Sequence, residues 1–163
     1  MTNDFKFFHG LVLAKIIHET QRPLSVKLFS PTSNSSYILN DNIGIHIKYS
    51  SKRLTPWRFT FKPDQLDEID KMKECLSKVF LLLVCNEDGV VCLSHGELKQ
   101  LIDNQHGPLV WISATRRKRQ MYYVKGSDGE LDFKIGKNDF PEKIFSATTS
   151  TGQTVSPVTS PEQ

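Results

Sequence analysis

Apolar residues recur at helical spacing at the start of the chain. Phe5, Phe8, Val12 and Ile16 form one stripe, Leu11, Leu13 and Ile17 widen it, and the pattern stops before Gln21-Arg22-Pro23. This predicts an amphipathic helix. The period then changes from 3.6 residues to two. Extended segments are predicted at Ser25 to Phe29, Tyr37 to Leu39, Ile43 to Ser50 and Trp57 to Phe61, separated by polar turns such as PTSNSS and Asn40-Asp41-Asn42. In the third segment Ile43, Ile45, Ile47 and Tyr49 share one face, and Gly44, His46, Lys48 and Ser50 share the other. In the fourth, Trp57, Phe59 and Phe61 oppose Arg58, Thr60 and Lys62.

A second helix is predicted from about Asp64 to Val79. Asp64 supplies the cap, Asp67 the first-turn acid, and Leu66, Ile69, Met72, Leu76 and Val79 the apolar stripe. Phe80 to Cys85 is continuously apolar, the pattern of a strand buried on both faces. Asp88-Gly89 then reads as a two-residue hairpin turn into Val90 to Leu93. That register would set Cys85 opposite Cys92 in a hydrogen-bonded pair, a geometry that suits buried thiols better than a disulfide. Ser94 and Glu97 have capping-box spacing ahead of a short helix through Ile102. Val110 to Ser113, Gln120 to Val124 and Leu131 to Ile135 read as further strands. The fold class expected is α/β (α+β), a single mixed sheet flanked by helices.

Composition narrows the classes. The chain has 163 residues, 38% hydrophobic and 24% charged, with a formal net charge of +3. One ordinary domain, residues 1–145, is predicted. From Ser146 to Gln163 the text SATTSTGQTVSPVTSPEQ has no aromatic residue and no Lys or Arg, the composition of a disordered Ser/Thr/Pro-rich tail. The longest apolar run, Val79 to Cys85, is far too short to span a bilayer, and Lys15 interrupts the only leader-like stretch. With three scattered cysteines, the chain reads as a cytoplasmic protein with no membrane partner. No phosphate-binding loop, dinucleotide fingerprint or serine-nucleophile elbow is present, and the five histidines lack the pairing of a zinc site.

Charge is distributed unevenly. Ile43 to Lys62 carries Lys48, Lys52, Arg53, Arg58 and Lys62 with no acid, and Thr115 to Lys125 carries Arg116, Arg117, Lys118, Arg119 and Lys125 with no acid. Aromatics interleave both runs: Tyr49, Trp57 and Phe59 in the first, Tyr122 and Tyr123 in the second. Cations beside rings form the footprint of a nucleic-acid surface, with DNA or RNA as partner. Solvated loops and core aromatics are the plainer reading of the same text.

The strand IGIHIKYS projects His46 and Lys48 from one face, after a turn that holds Asp41. Together with the order helix, strands, helix, buried strand over residues 5–102, this resembles the PD-(D/E)XK superfamily, the restriction-endonuclease-like fold. The resemblance implies a restriction-endonuclease-like core and a Mg²⁺ or Mn²⁺ cofactor. It makes Lys48 a catalytic residue that stabilises charge on phosphate, Asp41 a metal ligand, Glu19 an auxiliary acid and His46 a ligand or proton donor. The chain departs from the family pattern where His46 stands in place of Glu, Asp or Gln, and where Ser35-Ser36-Tyr37-Ile38 carries no acid. The text IKYSSKR and PWRFTF is also similar to small prokaryotic proteins without an assigned function, which supplies no chemistry.

Two expectations follow. The first is a nucleic-acid-binding domain, with a divergent metal-dependent nuclease as its catalytic form, in which Tyr49, Lys52, Arg53, Arg58 and Arg116 to Arg119 contact the strand. The second is a non-catalytic protein-interaction or assembly module of degenerate nuclease-like fold, binding a protein partner or a second copy. The missing carboxylate pair and an edge-like strand at Leu131 to Ile135 motivate it.

Overall fold

The computed structural model describes residues 4–103 and 110–146. His106 and all of the predicted tail after Ser146 lie outside the described residues. Helix α1 (Asp4–Thr20) precedes three strands that pair in chain order: β1 (Val26–Leu28), β2 (Ser36–Leu39) and β3 (Ile43–Ser50). β4 (Trp57–Phe61) leaves that sheet, and α2 (Pro63–Cys75) crosses over to β5 (Lys78–Cys85), which pairs parallel to β3. β6 (Gly89–Ser94) returns antiparallel beside β5 and leads into α3 (His95–Leu101). β7 (Val110–Thr115), β8 (Tyr123–Gly126) and α4 (Glu142–Phe145) complete the described elements.

The mixed α+β class holds, but the strands form two sheets instead of the one expected. A five-stranded sheet has the order β1-β2-β3-β5-β6, and a three-stranded sheet has the order β4-β7-β8. Non-local pairing separates them: Trp57 lies opposite Ala114 and Phe61 opposite Val110.

Each face of the five-stranded sheet covers its own core. Ile43, Ile45, Ile47, Phe80, Leu82 and Val84 pack with Phe8, Val12 and Ile16 of α1 and with Phe140 and Ile144. On the opposite face Val79, Leu81, Leu83, Cys85, Val91 and Leu93 pack with Ile69, Met72, Leu98 and the inward rings Trp57, Phe59 and Phe61. β5 is therefore apolar without interruption because both of its faces are covered.

Several boundaries differ from the sequence pattern. α2 starts with Pro63 at its first turn, capped at Lys62, and it ends at Cys75. Leu76 is its C-cap and Val79 already belongs to β5, so apolar residues that continue a helical spacing change element within three positions. The β5–β6 turn contains Asn86, Glu87 and Asp88, with Asn86 at φ 49°, and Cys85 pairs with Gly89. Cys92 consequently lies opposite Leu82, and the two buried thiols face different cores. Leu131 to Ile135 is not a strand; Ile135 forms an isolated bridge with Tyr122, Leu131 N–H donates to the Val124 carbonyl at 3.2 Å, and both side chains are buried in the core. The Ser94–Glu97 capping box forms as expected, with Glu97 N–H donating to Ser94 Oγ at 3.2 Å and Ser94 N–H to Glu97 Oε1 at 2.9 Å. Among the described residues, no helix is long and apolar enough to cross a membrane.

Candidate functional site

The polar face of β3 lies against α2. Gly44 allows the close approach, because a Cβ there would meet Leu76 Cδ1 at 2.9 Å and Met72 Sδ at 3.2 Å. Two residues on, His46 is 1% exposed. Its Nδ1 lies 2.8 Å from the Oγ of Ser36, its register partner on β2, and 3.5 Å from Glu68 Oε2 on α2. The Ser36 hydroxyl donates to Glu68 Oε2, and Ser33 donates to the same oxygen at 2.7 Å. A serine has one proton to give, so Ser36 Oγ accepts from His46 and the ring proton resides on Nδ1. Nε2 is then left buried without a partner. The His46 hydrogen bond holds the Glu68 carboxyl down at about 2, helped by Ser36 and Ser33 and opposed by desolvation.

Lys48 projects from the same face further along β3. Its Nζ is 3.4 Å from Gln65 Oε1 and 4.9 Å from the centre of the Phe61 ring. Gln65 Oε1 also accepts the backbone N–H of Lys62 at 2.9 Å, which anchors the amide at the start of α2. Desolvation, and then the nearby Lys62 charge, lower the Lys48 pKa. No carboxylate among the described residues pairs with it.

Two adjoining clefts open here. One, of about 490 Å³, is lined by Ser33, His46, Asp64 and Glu68. The other, of about 400 Å³, is lined by Phe5, His9, Lys48 and Tyr49, and Asn34, Ser35 and Gln65 line both. His9 forms part of a ring wall, its centroid 4.4 Å from Phe5 and 6.3 Å from Tyr49, while Nδ1 meets Tyr37 Oη at 2.7 Å. Burial first, and the neighbouring His46 second, push its pKa down to about 4, so the ring is neutral at neutral pH.

The donor set expected for a divalent cation does not converge. Asp41 sits in the exposed β2–β3 turn, 3.2 Å from Lys27 Nζ, and Ile43 to Lys48 alone spans roughly 17 Å of strand. Glu19 pairs with Lys15 at 2.8 Å near the far end of α1. That point is roughly 16 Å along the helix from Phe8, the residue stacked on Tyr49. Mg²⁺ needs several hard oxygen ligands at one point. The carboxylate beside His46 is Glu68, and its Oε2 already accepts from Ser33 and Ser36. No group of three or more His, Cys, Asp or Glu among the described residues is arranged to hold a metal.

The two basic segments touch at one point. The Arg116 backbone N–H donates to Thr55 Oγ1 at 3.2 Å, so the loop after β3 and the loop after β7 lie side by side. Lys52, Arg53, Arg117, Lys118 and Arg119 are all exposed there. Arg116 has a different task. Its Nε and Nη2 reach Asp88 at 2.8 and 2.7 Å, and its Nη1 donates to the carbonyls of Arg117 and Gln120. The guanidinium thereby braces a turn in which Arg119 takes φ 67°, and that turn presents three cations outward. The β5–β6 turn brings Asp88, which Arg116 neutralises, and the exposed Glu87 to the same end. Arg58 lies apart on the outer face of the three-stranded sheet, its guanidinium 4.3 Å over the Trp111 ring.

Of the interleaved aromatics, Trp57, Phe59 and Tyr122 are core residues and Tyr49 is accessible at 36%. Glu68, Ser36, Gln65 and His9 did not stand out in the sequence. Two signals were available: Glu68 shares a helical face with Gln65 and Met72, and His9 falls on the stripe of Phe5, Val12 and Ile16. Neither a family model, nor a curated protein sequence, nor a solved structure matches the chain.

Proposed function

We propose that this protein is a nucleic-acid-binding domain that grips the phosphate backbone with the basic ridge formed by Lys52, Arg53, Arg117, Lys118 and Arg119. The observation that carries the reading is the Arg116–Thr55 hydrogen bond, which brings two acid-free runs, distant in sequence, onto one surface. Cations presented together release counterions from a polyanion on binding, which makes DNA or RNA the natural partner. The separation of Asp41 and Glu19 from Lys48 favours binding over metal-dependent cleavage. A cytoplasmic location belongs to the same reading, since free Cys75, Cys85 and Cys92 suit a reducing compartment. The test is fluorescence anisotropy of labelled DNA and RNA with the parent and with the triple variant Arg117→Gln, Lys118→Gln, Arg119→Gln. The parent is expected to bind and the variant to lose at least about tenfold at low salt. Equal affinity of the two proteins contradicts the assignment.

One observation favours a protein-interaction module as the second reading. β1 is an edge strand of the five-stranded sheet that exposes Val26 and Leu28, at 40% and 51%. A molecular mass that rises with concentration in sedimentation would support it, and a constant monomer mass counts against self-pairing through that edge.

A further inference from the structure

Four features of the cleft beside Lys48 each ask something of its occupant. The rings of Phe5, His9 and Tyr49 make an aromatic wall, which favours a flat ring. The amide NH₂ groups of Asn34 and Gln65, whose oxygens already accept within the protein, offer donors to polar edges. Lys48 places a half-buried ammonium without a carboxylate partner against the same space, which favours an anionic group. β3 then leads from Lys48 and Tyr49 directly into Lys52 and Arg53, so the cleft lies where one end of the ridge begins. An apolar ligand would leave the ammonium without a counter-charge, and a simple anion would leave the rings unused.

We propose that this cleft of about 400 Å³ receives one unpaired nucleotide of the bound strand, its base against the Phe5–His9–Tyr49 wall and its phosphate at the Lys48 ammonium. The inference rests on the nucleic-acid reading for the kind of molecule, and it adds the substrate class: single-stranded nucleic acid or a duplex end with an overhang. A paired base has its edge engaged and both faces stacked, so it presents neither to the cleft. The buried His9 ring backs the wall without adding charge, leaving Lys48 to select the phosphate.

The experiment compares anisotropy-measured affinity of the full chain for a short blunt duplex and for the same duplex carrying a short single-stranded overhang. The overhang is expected to bind at least about fivefold tighter, the lower end of what one stacked base contributes. Lys48→Gln and Tyr49→Ser are each expected to reduce that ratio to within about twofold. Equal affinity of the parent for both duplexes overturns the cleft proposal and leaves the ridge reading standing. A second arm needs no variant: an NMR titration with a nucleoside monophosphate, with inorganic phosphate as control. Shifts at Phe5, His9, Lys48 and Tyr49 specific to the nucleotide support the proposal, and their absence overturns it. If the monophosphate binds and no oligonucleotide does, the ridge reading falls and the single-strand proposal falls with it.

Discussion

Single residues divide here into those that hold the fold and those that remain available to a partner. Glu68 belongs to the first group. Its carboxyl is held at about 2, below the ordinary 4.5, first by His46 and then by Ser36 and Ser33. A depressed acid binds its proton more readily in the unfolded chain, so its contribution is complete above about pH 4.5 and is lost as pH falls toward 2. Stability measured by denaturant midpoints from about pH 6 to about pH 3 should therefore decline, and Glu68→Gln should flatten that decline. At neutral pH the same variant should cost about 1.5–3 kcal/mol, the worth of hydrogen bonds to a charged acceptor. An unchanged acid slope in the variant would remove Glu68 from this account. Arg116 is the second case. Its fork on Asp88 braces the turn from within. Arg116→Ala should lower stability by about 1.5–3 kcal/mol, whereas Arg117→Ala should leave stability within about 0.5 kcal/mol and weaken nucleic-acid binding. Thermal melts and binding curves on both variants separate the two roles.

At the scale of elements, what was legible in the sequence was local. The alternation of Ile43, Ile45, Ile47 and Tyr49 marks β3 because one side of that strand packs on α1. The Ser94–Glu97 box marks the start of α3 because both of its hydrogen bonds are short-range. Leu76 and Val79 misled because an apolar stripe continues past the helix end into a strand buried on both faces. The hairpin register was missed because Asp88-Gly89 is a strong turn signal, yet Asp88 is drawn into the turn's last position by Arg116 and Tyr122. The second sheet was invisible for another reason. Pairing Trp57–Phe61 with Val110–Thr115 depends on contacts between distant segments, which no short window contains. The cleft was half legible: the His46 and Lys48 periodicity showed, while Glu68 and Gln65 arrive from another element. Packing between elements also makes a prediction. A Cβ at Gly126 would run into the backbone carbonyl of Leu101, which cannot swing aside as a side chain can. Gly126→Ala should destabilise by about 1–3 kcal/mol in chemical denaturation. A neutral result would mean that β8 and the end of α3 are free to separate.

At the scale of the molecule, the described residues form a five-stranded sheet with a core on each face, and the second sheet closes one of them. That arrangement fixes where charge goes. β4 pairs with β7 so that the end of β7 meets the segment entering β4, and two loops of like charge become neighbours despite their repulsion. Cations placed close together in this way, with Asp88 already engaged by Arg116, raise the positive potential of that surface. The proposed grip on nucleic acid depends on that surface. The direct measurement is the affinity for a short DNA duplex across a salt series, plotted as the logarithm of the binding constant against the logarithm of salt concentration. Five ridge cations predict a slope of roughly −4 to −5, falling to about −2 in the Arg117, Lys118, Arg119 triple glutamine variant. A slope near zero, or the same slope in parent and variant, would contradict it.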